Sequence, residues 1–174
     1  MNILIIPIEV MHRELDSKLC LAYDIASSKK FKVILLAQRS LGQIEYKNCI
    51  FFDKSISSAK IDYVKNIHKD NLYLYIDEEG PYSLLDKFAL KIRLPQKLIK
   101  KCPIILLHGV KDKKYFKSNA SVIAGNPKYD ILVNPYKKIF RNEVSYIKKK
   151  YKKFIFIPSS FGLDSLRDPN AQDK

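Results

Sequence analysis

The stretch NILIIPIEVMHRELDSKLCLAYDIA, residues 2–26, decides how the chain is read. From Asn2 to Ile6 it runs apolar over strand length, the pattern of a strand covered on both faces. Pro7 has no amide hydrogen to give, so the strand is expected to end there. From Glu14 onward Leu15, Leu19, Ala22, Ile25 and Ala26 recur at helical spacing and predict a helix packed back on a sheet. Strand, connection and helix in this order predict an α/β fold with a mostly parallel sheet.

The connection itself, Glu9, Val10, Met11, His12, Arg13, Glu14, Leu15 and Asp16, is unusually charged. In open α/β sheets ligands collect outside the carboxyl ends of the strands, where such a connection sits. It holds no glycine, which excludes a phosphate-cradling loop of the P-loop or dinucleotide type. A solvated helix start, with Glu14 and Asp16 favoured by the helix dipole, accounts for the same residues.

Further along, KVILLA (32–37), CIFFD (49–53), LYLYI (72–76), PIILLHG (103–109) and SVIAG (121–125) read as strands. The crossover between the first two should be right-handed. Helices are expected over 55–69, capped by Ser55 or Ser57, over 81–91, with Leu84, Leu85, Phe88 and Ala89 inward, and over 136–153. Shorter helical pieces are expected over 41–46, 111–117 and 129–132.

Chemistry concentrates after the fourth strand. Asp77, Glu78 and Glu79 stand together at a strand's carboxyl end, and burial or mutual repulsion there raises a carboxyl toward the range of a general base. Gly80 allows a tight turn and Pro81 suits a helix start, so a plain charged turn is the alternative. His108 ends the fifth strand on the same edge, as a base or acceptor-orienting group, or as a hydrogen-bonded structural histidine. His68 falls near a helix end, where it reads as a surface cap. Gly125 permits close backbone approach, while Asn126 and Pro127 turn the chain into a small helix.

Three stretches, PIEVMHRELDSKLCLA (7–22), YIDEEG (75–80) and GNPKYDIL (125–132), resemble bacterial surface carbohydrate biosynthesis proteins, a family of GT-B-like glycosyltransferases. The resemblance implies a Rossmann-like, three-layer α/β/α acceptor-side domain over 1–135. It makes the basic helix and strand at 136–163 the opening of a second domain that is cut short, with a loose polar tail over 164–174. Bacterial sialyltransferases of similar architecture place an acidic pair before a glycine, which deprotonates the acceptor hydroxyl. By that analogy the catalytic candidates are Glu79 and Glu78, with Asp77 and His108 beside them. Glu9, His12, Arg13, Glu14, Gly80, Gly125 and Asn126 would line the acceptor site. The implied reaction moves a sugar from a nucleotide-sugar to a glycan hydroxyl, with the donor site supplied by a second domain or a partner chain. A glycan- or partner-binding module without turnover is the alternative.

Composition bounds these readings. A chain of 174 residues, 47% hydrophobic, suits one domain with a real core. No apolar run approaches the roughly 20 residues that span a bilayer, and no cleavable leader is visible, so a cytoplasmic protein is expected. Cys20, Cys49 and Cys102 are scattered and read as small buried hydrophobes; no metal spacing exists, and no cofactor is implied. The net charge of +14 rests on lysine, arginine standing only at 13, 39, 93, 141 and 167. Because bidentate recognition of phosphates and bases favours arginine, contact with the inner face of an anionic membrane ranks above nucleic acid. The 136–153 helix has an apolar stripe, Ile139, Phe140, Val144 and Ile147, beside its lysines, and is expected to pack on the domain edge rather than lie on lipid. FIFIP (154–158) reads as an edge strand able to pair with a second copy or a partner.

Overall fold

Alternation along the strands sorts the apolar residues onto two faces of one sheet. In the computed structural model the strands are β1 (Asn2–Ile8), β2 (Phe31–Ala37), β3 (Cys49–Asp53), β4 (Leu72–Ile76), β5 (Ile104–Leu107) and β6 (Ala120–Ile123). They pair in the order β2-β1-β3-β4-β5-β6, and every pairing is parallel. The structure describes residues 2–43, 45, 47–56, 70–80, 82, 85–100, 102–116 and 120–157. The helix expected over 55–69, with His68, lies outside them from residue 57 onward, as do Pro81 and Leu84.

Ile5, Phe51, Tyr73, Tyr75 and Ile105 form the core on one face, closed by Leu94, Leu98 and Phe116 from the segments that follow. Leu4, Ile6, Phe52 and Ile76 form the other, covered by Ala22, Leu21 and Ile25 of helix α1 (Met11–Ser27). With both faces covered, an all-parallel sheet is stable in water, and the fold is Rossmann-like with three layers. Among the described residues no helix is long and apolar enough to cross a membrane.

Several local expectations are corrected. β1 continues through Pro7 to Ile8, because β3 pairs only with Ile3–Ile5 while β2 follows β1 along its whole length. Beyond Ile5 one side of β1 has no ladder to lose, so the missing amide is tolerated. The inward face of α1 is turned from the expected stripe: Leu19 is exposed and Ala26 lies outside, while Glu14, Ser17, Lys18 and Ala22 are buried. Helix α2 (Lys87–Arg93) starts late, capped by Asp86, whose carboxylate accepts from the Ala89 amide at 2.7 Å. That late start leaves Phe88 exposed and sends Leu90 toward the core. A single turn, α3 (Gln96–Ile99), follows Pro95 and buries Leu98 and Ile99. Cys49 and Cys102 are buried as expected and Cys20 only half so, and none of the three forms a disulfide among the described residues.

The chain divides into two units, Met1–Lys137 and Lys138–Lys174. Within the first, α4 (Pro127–Asp130) follows β6, and Tyr136 donates a hydrogen bond to Asp24 of α1. The expected 136–153 helix is a 3-10 turn, Tyr136–Phe140, followed by α5 (Arg141–Tyr151), and no residue of α5 is buried. Phe154–Ile157, expected as a strand, forms none.

Truncation at the sheet centre gives a direct test of this core. Phe51→Ala is expected to lower stability by about 3–5 kcal/mol, seen as a lower urea midpoint at unchanged slope.

Candidate functional site

Strand order locates the site before any side chain is considered. The chain leaves β1 toward β2 on one side and returns to β3 on the other, so a crevice opens outside the carboxyl ends of β1 and β3. Glu9 follows β1 and Lys54 follows β3, and α1 begins between them.

Glu14 is the centre of what fills this crevice, with 0% of its surface exposed. One carboxylate oxygen accepts from the Glu9 amide at 3.1 Å and from Lys18 Nζ at 2.8 Å. The other accepts from the Val10 amide at 3.2 Å and from Lys54 Nζ at 2.7 Å. Burial alone would push this acid up, but the bonds from Lys18, Lys54 and Glu9 outweigh it and hold its pKa at about 2. Lys18 also donates to the Pro7 carbonyl at 2.6 Å, closing the start of α1 onto the end of β1. Lys54 reaches Glu9 at 2.8 Å; burial works against its charge, and the bonds to Glu14 and Glu9 raise its pKa nonetheless.

The acidic triplet separates into three environments. Asp77 is buried and takes a two-pronged contact from Arg93 of α2, Nε donating at 3.0 Å and Nη2 to the other oxygen. Glu78 is buried on the Glu14 side, with Lys128 Nζ at 3.5 Å and Lys18 Nζ at 4.0 Å. Neither of its oxygens accepts a hydrogen bond among the described residues. Burial raises its pKa, more than the Lys18 and Lys128 charges lower it, and the Glu14 charge adds to the rise. Glu79 reaches the surface, 46% exposed, where Arg13 donates to it at 3.0 Å.

Asn126 and His108 close the far end. The Asn126 side chain caps α4 through the Lys128 amide at 3.0 Å and turns its Nδ2 toward His108 Nε2 at 3.2 Å and the Glu78 carbonyl at 3.5 Å. His108 Nε2 also meets the carbonyl oxygen of Asp77. Nε2 thus faces one acceptor, the Asp77 carbonyl, and one donor, the Asn126 amide, and which of the two it serves depends on the ring tautomer. Gly80 and Gly125 both hold positive φ, +127° and +79°, which only glycine adopts without strain.

The expected site residues thus converge on one sheet edge. Glu9, Arg13, Glu14, Glu78 and Glu79 share a single ion-pair network, while Asp77, His108 and Asn126 join it through backbone contacts. His12 stands exposed on the first turn of α1. Three cations that hold the network, Lys18, Lys54 and Lys128, were not apparent from sequence reasoning, nor was Arg93. Only Lys18 left a signal, lying four residues after Glu14 on one helix face. Among the described residues no three His, Cys, Asp or Glu side chains group as metal ligands.

The class of protein so defined is a Rossmann-like α/β domain with a buried ion-pair network at its topological switch point. The chain matches no protein-family model, no curated protein and no solved structure.

The two buried glutamates should respond oppositely to neutralisation. Glu14→Gln leaves two buried lysines short of a partner and is expected to cost about 3–5 kcal/mol, whereas Glu78→Gln relieves an unbonded buried carboxylate and should leave stability equal or higher at neutral pH. Urea midpoints of the two variants check this. Glu14 binds its proton more weakly folded than unfolded, so its contribution is complete above pH 4.5 and disappears as pH falls toward 2. An acid titration of stability should show that loss in the parent protein and not in Glu14→Gln.

Proposed function

We propose that the Met1–Lys137 unit is the acceptor-side half of a GT-B-like glycosyltransferase of bacterial surface polysaccharide, with Glu79 as the general base. The observation that carries this reading is the position of Glu79: it is the half-exposed carboxylate of the triplet, on the open rim of the switch-point network. Asp77 is committed to Arg93 and Glu78 is sealed beneath the rim, so neither meets an acceptor as readily.

In the proposed step an acceptor hydroxyl gives its proton to Glu79 as its oxygen bonds to the anomeric carbon of the donor sugar. The nucleotide leaves with the electron pair of the bond that breaks. Arg13 orients the acceptor, pairing with a carboxylate or phosphate on it once Glu79 is protonated. The nucleotide-sugar is held by a second domain or a partner chain. His108, held by Asn126 and the Asp77 carbonyl, stands on the same sheet edge as a further group for orienting a sugar hydroxyl.

A second reading, glycan binding without turnover, is favoured by the Arg13–Glu79 pair itself, since its guanidinium can donate to, and its carboxylate accept from, the hydroxyls of a bound saccharide with no proton transferred. Amide NMR titrations with acidic sugars, neutral oligosaccharides and nucleotides, run beside Glu79→Gln, test both. Saccharide shifts at residues 9–16 and 77–80, altered in the variant and unmatched by nucleotides, are expected. Nucleotide binding instead, or no saccharide binding, overturns the assignment. With a donor-binding partner supplied, loss of transfer by about 10²–10⁴-fold at retained binding in Glu79→Gln identifies the base. Binding with no transfer in the parent protein identifies the module.

A further inference from the structure

The Lys138–Lys174 unit carries a surface that the proposed site does not use. On α5, Val144, Ile147 and Tyr151 recur at helical spacing and make one apolar stripe, and all three are exposed. Lys152 takes a left-handed backbone, φ 54°, which ends the helix and turns the chain so that the Phe154 ring meets Tyr151 edge-on at 6.0 Å. Val144, Ile147 and Phe154 thereby floor an open groove of about 450 Å³ whose rim is Lys148, Lys152 and Lys153. Beyond it Ile155, Phe156 and Ile157 continue, each more than three-quarters exposed at 89%, 78% and 79%.

Charge decides what fits such a surface. From Tyr136 to Lys153 the chain carries eight cationic side chains against the one acid, Glu143. The lysines do not occupy the far side of the helix alone: Lys148 lies within the apolar stripe, one turn from Val144. A protein core laid over that stripe would have to set an acid against Lys148 or bury it unpaired, at a desolvation cost of several kcal/mol. A bilayer has no such difficulty. Lysine stems lie along the apolar groove while their ammonium groups reach the headgroup layer, and exposed phenylalanine and isoleucine enter the acyl boundary.

We propose that α5 and the Phe154–Ile157 segment form a docking surface for an anionic lipid bilayer, with Phe154 and Phe156 inserted and Lys148, Lys152 and Lys153 on the headgroups. Binding then needs both terms, apolar insertion and negative surface charge, as single weak signals do not anchor a protein stably.

The test is co-sedimentation of the full chain with phosphatidylcholine vesicles made with and without phosphatidylserine, over a range of salt. Binding is expected only with phosphatidylserine and should fall as salt rises. Changing Lys148, Lys152 and Lys153 together to Gln should weaken it on the order of a hundredfold. Phe154→Ser with Phe156→Ser should also abolish sedimentation, and because every residue changed is exposed, circular dichroism should stay unaltered. Equal binding to both vesicles, no binding to either, or affinity indifferent to the lysine changes overturns the proposal. So does a lipid-free dimer, seen by light scattering and lost in the phenylalanine variant, which would give the surface to a second copy of the chain.

Discussion

The buried carboxylate of Glu14 is the constraint on which the rest of the site depends. It takes two backbone amides from the turn after β1, one lysine from its own helix and one from the end of β3. Those four bonds join three elements that the sheet's own ladder does not connect at that edge. An acid so placed without partners would be neutral at physiological pH; with them it stays charged and anchors Lys18 and Lys54 in turn. The orientation of α1 follows, because its first turns must face inward to make these bonds. That is why Leu19 lies outside and Lys18 inside.

Glu78 shows the same residue type under the opposite balance. It is as deeply enclosed as Glu14, but its lysines stand at 3.5 and 4.0 Å and no hydrogen bond reaches its oxygens among the described residues. Desolvation therefore prevails. One switch point thus holds a strongly acidic glutamate and a weakly acidic one, with Glu79 on the rim above them. Burial and ion pairing thus push two neighbouring carboxyls in opposite directions, and the arrangement places a reachable carboxylate over a charged floor.

Much of the fold was legible because strand signals here are local. Continuous apolar runs bounded by turns gave all six strands of the sheet within a few residues, and β4 and β3 at their observed limits. The carboxyl-edge location of the acidic triplet and of His108 followed from those runs alone. What escaped was long-range. Arg93 meets Asp77 across sixteen residues and Lys54 meets Glu14 across forty, separations at which no periodicity operates. That Phe154–Ile157 forms no strand escaped for a related reason: an apolar run announces that a surface wants cover, without saying what covers it.

By itself the sequence determined the α/β class, the parallel sheet and the edge at which charged residues gather, since periodicity and turn chemistry act over a few residues. Only the tertiary structure decided the strand order that opens the crevice between β1 and β3. It also decided which glutamate is sealed with lysines, which is sealed without hydrogen bonds among the described residues and which reaches water. Those outcomes rest on desolvation set against ion pairing, and both depend on distances between side chains that lie far apart in the chain.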